Sequence, residues 1–152
     1  MPFGAGGPIG GWTPVRTLRT LTVTGGVEPV PTSEEVAMAR TPQEIFQHHA
    51  EALVAGDVDA IVADYGDDSV LITPRGVARG RDEIRQWFTG LIAELPDATW
   101  DVPTAVFEGD VLFIEWTAEA PTVRVTDGID TVVFSDDAIR AQTVRYTPKA
   151  VG

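Results

Sequence analysis

The chain has 152 residues, which is enough for one domain. Hydrophobic residues make up 43% and charged residues 22% of it, a balance that supports a buried core and excludes wholesale disorder. There is no cysteine, so disulfides and thiolate metal sites are excluded and a cytoplasmic location is expected.

The net charge of −12 lies entirely in the part of the chain after residue 40. Residues 1–40 hold three acidic and three basic side chains, whereas residues 41–152 hold 20 acidic and eight basic ones. Such a domain repels nucleic-acid phosphates and anionic lipid surfaces, so we expect neither nucleic acid nor a membrane as a partner. No apolar run reaches membrane-spanning length, and no signal peptide is recognisable.

The first 40 residues differ in composition from the rest. Glycine and proline are dense in 2–14 and 25–31, and the alternating segment 16–24 predicts one short strand. We expect a Gly/Pro-rich extension that forms a flexible arm. A translation start at Met38 would remove it; an arm that swaps between subunits or covers a pocket is the alternative.

The first helix has clear start and stop signals. Thr41, Pro42 and Glu44 form an N-terminal capping pattern, and the helix is expected to run to about Ala55 and stop at Gly56. Asp57 caps a second short helix that carries Tyr65 on its apolar side. The further predicted elements are a turn at 66–68, a strand at 69–73, a loop at 74–80 and a third helix at 82–95.

The rest of the chain predicts a sheet. Strands are expected near 99–107, 111–120, 122–135 and 138–147, each rich in β-branched and aromatic residues. Helices followed by such a meander indicate an α+β domain over 41–152, with three N-terminal helices packed on one face of a curved, mostly antiparallel sheet.

Two polar residues stand out from their apolar neighbours. His49 shares a helical stripe with Phe46, Ala50 and Leu53, so it faces the interior, while His48 points about 100° away towards solvent-side glutamates. A core histidine whose hydrogen bonds are satisfied is the other interpretation of His49.

Asp130 is the second candidate. Alternation places it on one strand face with Val132 and Phe134, but the opposite row is also apolar, so the pattern leaves open which face the helices cover. On the covered face, a carboxylate would need a partner or a proton. No metal site is expected, because adjacent histidines diverge and no cysteine set exists.

Three segments resemble ketosteroid isomerases and SnoaL-like polyketide cyclases of the nuclear-transport-factor-2-like superfamily. They are 55–70 (AGDVDAIVADYGDDSV), 80–88 (GRDEIRQWF) and 127–146 (DGIDTVVFSDDAIRAQTVRY). The resemblance covers about 41–147 and implies a cone-shaped, cystatin-like roll. The same fold carries isomerases, cyclases, dehydratases and proteins without catalytic activity.

Aligned at Gly56, the resemblance implies a site. The isomerases' tyrosine oxyanion donor falls on His49, their general-base aspartate on Thr73, and their protonated aspartic acid on Asp130. Threonine cannot abstract a carbon-bound proton, so ketosteroid isomerisation by that route is not expected. The cyclases imply instead a single acid/base aspartate near the position of Asp130, which would either orient and charge-balance His49 or itself move the proton. The family's supporting aromatics fall on Tyr65, Phe88 and Tyr146.

The sequence therefore predicts a cofactor-independent acid/base enzyme that acts on a small apolar carbonyl compound, with a non-catalytic ligand-binding or dimerisation module as the alternative. His49, Asp130 and Tyr65 are the predicted catalytic residues. We expect a homodimer through the outer sheet face, where Trp100, Phe113 and Arg124 are predicted to lie. The predicted ligand-binding residues are Phe46, Leu53, Thr73, Trp87, Trp116, Val132, Phe134, Gln142 and Tyr146.

Overall fold

The first helix begins and ends where the sequence predicts. A computed structural model describes residues 40–151, so the predictions for the N-terminal extension lie outside the described part. Helix α1 spans Pro42–Ala55, and Thr41 Oγ1 accepts a hydrogen bond from the Glu44 amide while the Glu44 side chain accepts one from the Thr41 amide. Its end is fixed by Gly56 in the left-handed region (φ 68°).

The segment after α1 differs from the prediction. Helix α2 is only Val58–Val62, capped by the Asp57 carboxylate, and Tyr65 is the first residue of strand β1 rather than part of the helix. Strand β1 spans Tyr65–Thr73 and includes residues 66–68, where a turn was predicted. Its pairing with a later strand is irregular between Tyr65 and Val70. The reason is a tertiary contact: Ser69 Oγ accepts from the Gly66 amide and donates to the Ile139 carbonyl, which holds this segment beside another strand.

The predicted loop at 74–80 also contains a strand. Strand β2, Gly76–Arg79, pairs antiparallel with β1 to form a hairpin. Helix α3, Gly80–Glu94, follows it and agrees with the predicted third helix. The described part thus has three helices, but the third comes after the first two strands and not before the sheet.

The four predicted long strands are confirmed. They are β3 (Thr99–Glu108), β4 (Val111–Glu119), β5 (Val123–Ser135) and β6 (Ala138–Arg145), and a two-residue strand β7 (Lys149–Ala150) pairs with β5. The order β2-β1-β6-β5-β4-β3 gives one curved, open sheet. Because β1 and β6 are parallel, the sheet is mixed, although its other pairings are antiparallel.

The helices cover one face of this sheet. On β5, Asp130, Val132 and Phe134 are buried, and on β4 the row that includes Ile114 and Trp116 is buried with them. The opposite rows are more exposed. The pairing of Ile114 with Asp130 therefore settles the face that the alternation left open: Asp130 lies on the helix-covered side. Within residues 40–151, no helix combines the length and hydropathy that crossing a bilayer requires.

Candidate functional site

A narrow cavity lies between α1, α3 and the covered face of the sheet. Its volume is about 40 Å³, which is room for roughly three water molecules. Eight of the predicted site residues line it: Phe46, His49, Leu53, Trp87, Trp116, Asp130, Val132 and Gln142. Eight of the fifteen lining residues are thus among the predicted ones, including the polar residues His49, Asp130 and Gln142. The remaining lining residues are Ala50, Phe88, Leu91, Trp100, Val102, Ile114 and Val144.

Four predicted site residues do not line the cavity. Thr73, the last residue of β1, lines a separate open groove between the β1–β2 hairpin and α3. Phe134 is buried in the core at 3% exposure. The Tyr146 ring packs against Trp116, 5.4 Å between centroids, and its hydroxyl donates to Glu94. Tyr65 does not line the cavity itself, but its hydroxyl donates a hydrogen bond to Gln142, which does.

Asp130 is held by two neutral donors. Trp116 Nε1 donates to its Oδ1 at 2.8 Å, and Gln142 Nε2 donates to its Oδ2 at 2.8 Å. The buried hydroxyl of Tyr65 donates to Gln142 Oε1, which fixes the amide so that its NH₂ group faces the carboxylate. The chain of hydrogen bonds Tyr65–Gln142–Asp130–Trp116 therefore presents only donors to Asp130.

This environment sets the charge of Asp130. Burial raises the pKa of its carboxyl to about 6, and the hydrogen bonds from Trp116 and Gln142 oppose that rise. At neutral pH the group is mostly ionised, and both of its bonded oxygens act as acceptors. Asp130 therefore does not match the protonated hydrogen-bond donor that the ketosteroid isomerases imply for this position. It matches a proton acceptor.

His49 is buried at 7% exposure, as the helix pattern predicts. Its ring packs edge-on against Tyr65 and Phe88, with centroid distances of 5.9 and 5.6 Å. Burial lowers the pKa of His49 to about 4, although the charge of Asp64 raises it, so the imidazole is neutral at pH 7. No hydrogen bond joins His49 to Asp130 within the described residues, so the expected charge balance between the two is not formed.

A buried aspartate missed by the sequence analysis lies behind His49. Asp64 accepts from Arg40 at 3.1 Å and from His48 Nδ1 at 2.8 Å, and its Oδ2 is 3.9 Å from His49 Nδ1. His48 therefore pairs with Asp64, not with the glutamates of its own helix. His49 Nδ1 is buried and has no hydrogen-bond partner among residues 40–151. No local motif marks Asp64, because its hydrogen-bond partners are distant in the chain. They are His48 on α1 and Arg40, which precedes the N-cap residue of α1.

Trp100 was predicted on the outer face and lies instead in the cavity wall. It is 5% exposed, and its ring centroid is 5.5 Å from that of Trp116. The pairing of β3 with β4 is irregular between Asp101 and Thr104, and such an irregularity changes which residues share a face. Phe113, in contrast, is on the outer face at 38% exposure.

Gly128 makes room for the indole that holds Asp130. It pairs across the sheet with Trp116, and a Cβ at this position would lie 2.2 Å from Trp116 Cε2. Any other residue would push the indole away. The sequence signal was present, since a glycine inside a strand often marks a close approach, but the partner could not be read from the chain.

The buried acid and base of the cavity predict opposite pH dependences of stability. Unfolding returns His49 from a pKa of about 4 to its ordinary 6.5, so the unfolded chain takes up a proton and stability is lost as pH falls through this window. Asp130 has a pKa of about 6 when folded and 3.8 ordinarily, so its contribution is unfavourable at neutral pH and improves as pH falls towards 4.

Urea unfolding of the wild type, His49→Gln and Asp130→Asn at pH 4.5 and 7.5 measures both effects. Relative to the wild type, His49→Gln should gain about 2 kcal/mol on going to pH 4.5, and Asp130→Asn should lose about 2 kcal/mol. Two differences of the same sign, or none, would contradict the assigned environments.

Comparison with known proteins agrees with this architecture. A family model described as a SnoaL-like domain matches residues 46–142. No curated protein sequence matches the chain. Among residues 40–151, no group of three or more histidine, aspartate or glutamate side chains is placed to hold a metal ion.

Several solved structures share the fold. A putative ketosteroid isomerase from Kribbella flavida DSM 17836 is 14% identical, with a TM-score of 0.59 over 73% of this chain and 80% of that one. A SnoaL-like protein of unknown function from Burkholderia thailandensis E264 is 18% identical, with a TM-score of 0.58 over 70% and 93%. An uncharacterised cystatin-fold protein from Novosphingobium aromaticivorans is 20% identical, with a TM-score of 0.59 over 72% and 99%.

At these identities the solved structures show the fold and no particular activity. The family model covers well over half of the chain, including the helix of His49 and the strands of Asp130 and Gln142. The protein therefore belongs to the SnoaL-like domain family, on the α+β fold that it shares with NTF2-like and cystatin-like proteins.

Proposed function

We propose that the protein is a cofactor-independent acid/base enzyme of the isomerase, cyclase or dehydratase type, acting on a small apolar carbonyl compound. The observation that carries this proposal is the Asp130 carboxylate, 7% exposed in a mostly apolar cavity, with a pKa raised by burial to about 6. A general base is most effective when its pKa lies near the working pH.

Asp130 and His49 have complementary roles in this proposal. The Asp130 carboxylate removes a proton from the carbon next to the carbonyl, and the electron pair of the broken C–H bond moves to form an enolate. The neutral imidazole of His49, which lines the same cavity, donates a hydrogen bond to the enolate oxygen. Return of the proton from Asp130 to another carbon gives an isomer, and attack of the enolate carbon on a second carbonyl gives a cyclised product.

Tyr65 acts through Gln142 in this scheme. Its hydroxyl holds the amide that donates to Asp130, and its pKa is raised by burial, so it stays protonated. Thr73 supplies no base, because it lies in the open groove. The proposal is therefore not the route implied by the isomerase resemblance, and the neighbour named a putative ketosteroid isomerase supports only the general class.

Two variants distinguish an effect of where the carboxylate lies from an effect of the total charge of the cavity. In Asp130→Asn, rotation of the Gln142 amide lets the introduced amide donate to Gln142 and lets Tyr65 accept, so the hydrogen bonds can be kept without a carboxylate. In the double variant Asp130→Asn with Gln142→Glu, every hydrogen bond keeps a donor and an acceptor, but the carboxylate moves to residue 142.

Solvent deuterium exchange into cyclohexanone and 2-cyclohexen-1-one, followed by NMR in D₂O, detects enolate formation without knowledge of the natural substrate. We expect the wild type to catalyse exchange, and both variants to lose about 100-fold or more. His49→Ala should lose a comparable factor. Catalysed exchange that is unchanged in Asp130→Asn would refute the assignment of the base.

A non-catalytic ligand-binding module is the second candidate. The absence of a hydrogen bond between His49 and Asp130 within the described part, and the low pKa of His49, favour it. The small cavity also admits a head group more readily than a large ring system. Ligand binding in the cavity by a wild type that gives no exchange with any enolisable ketone would support this candidate over the enzyme.

We also propose a homodimer through the outer sheet face. Val111, Phe113 and Ile129 are 38–41% exposed there, which leaves apolar surface that a second copy could bury. Phe113→Glu should convert the dimer to a monomer in analytical ultracentrifugation, while the solvent-facing change Gln86→Glu on α3 should not. A wild type that is monomeric at about 100 μM would contradict the proposal.

A further inference from the structure

The cavity holds the negative charge of Asp130, and no charged side chain among residues 40–151 pairs with it. The hydrogen-bond donors to Asp130 are Trp116 and Gln142, which are both uncharged. Buried carboxylates are ordinarily paired with a cation, because a lone charge is costly in a medium of low polarity.

The other titratable group of the cavity does not supply the missing cation. His49 is neutral at pH 7, because burial lowers its pKa to about 4. The guanidinium of Arg40, which bonds to Asp64 behind His49, is also bonded to Asp137. Within the described part of the chain, therefore, no cation compensates the negative charge of Asp130 at neutral pH.

The walls around this charge are aromatic. Three tryptophans and two phenylalanines line the cavity, and their rings are inclined to one another by 89° for Trp87 and Phe88 and by 45° for Trp100 and Trp116. The negative face of an aromatic ring attracts cations, and indole does so most strongly.

We propose that this cavity binds the ammonium group of a small organic cation, a quaternary or alkylated amine, with Asp130 as its counter-ion and Trp87, Trp100 and Trp116 as its walls. The proposal rests on the cavity being the ligand site, as in the proposed function, but it does not require turnover. The acidic surface of the domain, with its formal charge of −12, also favours the approach of a cation.

The size of the cavity restricts the ligand. A volume of about 40 Å³ leaves room for a compact head group only, and the half-buried Trp87 is one of its walls. Trp87 also borders the open groove between the β1–β2 hairpin and α3, so it separates the cavity from a wider space.

A pair of matched probes tests the charge preference on the unaltered protein. Choline and 3,3-dimethyl-1-butanol have nearly the same shape and the same hydroxyl group, but only choline is charged. In calorimetric titrations at pH 7.5 and fixed salt, we expect choline to bind at least about tenfold more tightly. Equal affinities, preference for the neutral alcohol or binding of neither probe would overturn the proposal.

The two cavity variants then assign the counter-ion. Asp130→Asn should weaken choline binding by at least about tenfold and leave 3,3-dimethyl-1-butanol unchanged. The double variant with Gln142→Glu returns a carboxylate to the cavity wall and should restore most of the choline affinity. Glu108→Gln removes one charge from the exposed end of β3 and is the control for the overall field, with no change expected. Full choline affinity in Asp130→Asn would overturn the assignment.

The same variants keep this proposal apart from the acid/base function. Cation binding follows the charge of the cavity and is restored in the double variant, whereas proton abstraction follows the position of the base and is not. Choline binding without deuterium exchange would leave the ammonium site intact and remove the enzyme. Deuterium exchange without choline binding would support the enzyme and overturn the ammonium site.

Discussion

The arrangement of the cavity depends on the free-energy cost of burying the carboxylate of Asp130. Asp130 lies on the covered face of the sheet, where removal from water raises its pKa and makes its charged form expensive. Two neutral donors, Trp116 and Gln142, lower that cost without cancelling it. Asp130 is therefore a carboxyl group in the cavity wall whose pKa lies close to neutral pH.

The surroundings of Asp130 are arranged to keep those donors in place. Gly128 leaves space for the Trp116 indole on the neighbouring strand, and the Tyr65 hydroxyl fixes the orientation of the Gln142 amide. These contacts join three strands, β1, β5 and β6, to the cavity wall on β4. Gly128 and Tyr65 therefore hold in place the two donors to the carboxylate, Trp116 and Gln142.

Local signals predicted most of the fold. The capping box at Thr41, the glycine stop at Gly56 and the alternation of the long strands each involve neighbours in the chain, and each is present in the structure. The errors occurred where distant contacts decide. Tyr65 continues a helical spacing but is held in a strand by β6, and Trp100 changes face at a pairing irregularity. Asp64 carries no motif, because its hydrogen-bond partners are 16 and 24 residues away.

A buried anion among aromatic rings is consistent with both activities considered for this family member, since it can take a proton from a neutral ligand or pair with a cationic one. Both depend on Asp130 being ionised at neutral pH, and proton abstraction also needs a pKa of Asp130 close to that pH. The most direct measurement is a ¹³C NMR titration of the labelled Asp130 carboxyl between pH 3 and 8. We expect a pKa of about 6; a value at or below the ordinary 3.8 would show that burial does not raise the pKa of Asp130, and would contradict the assigned environment.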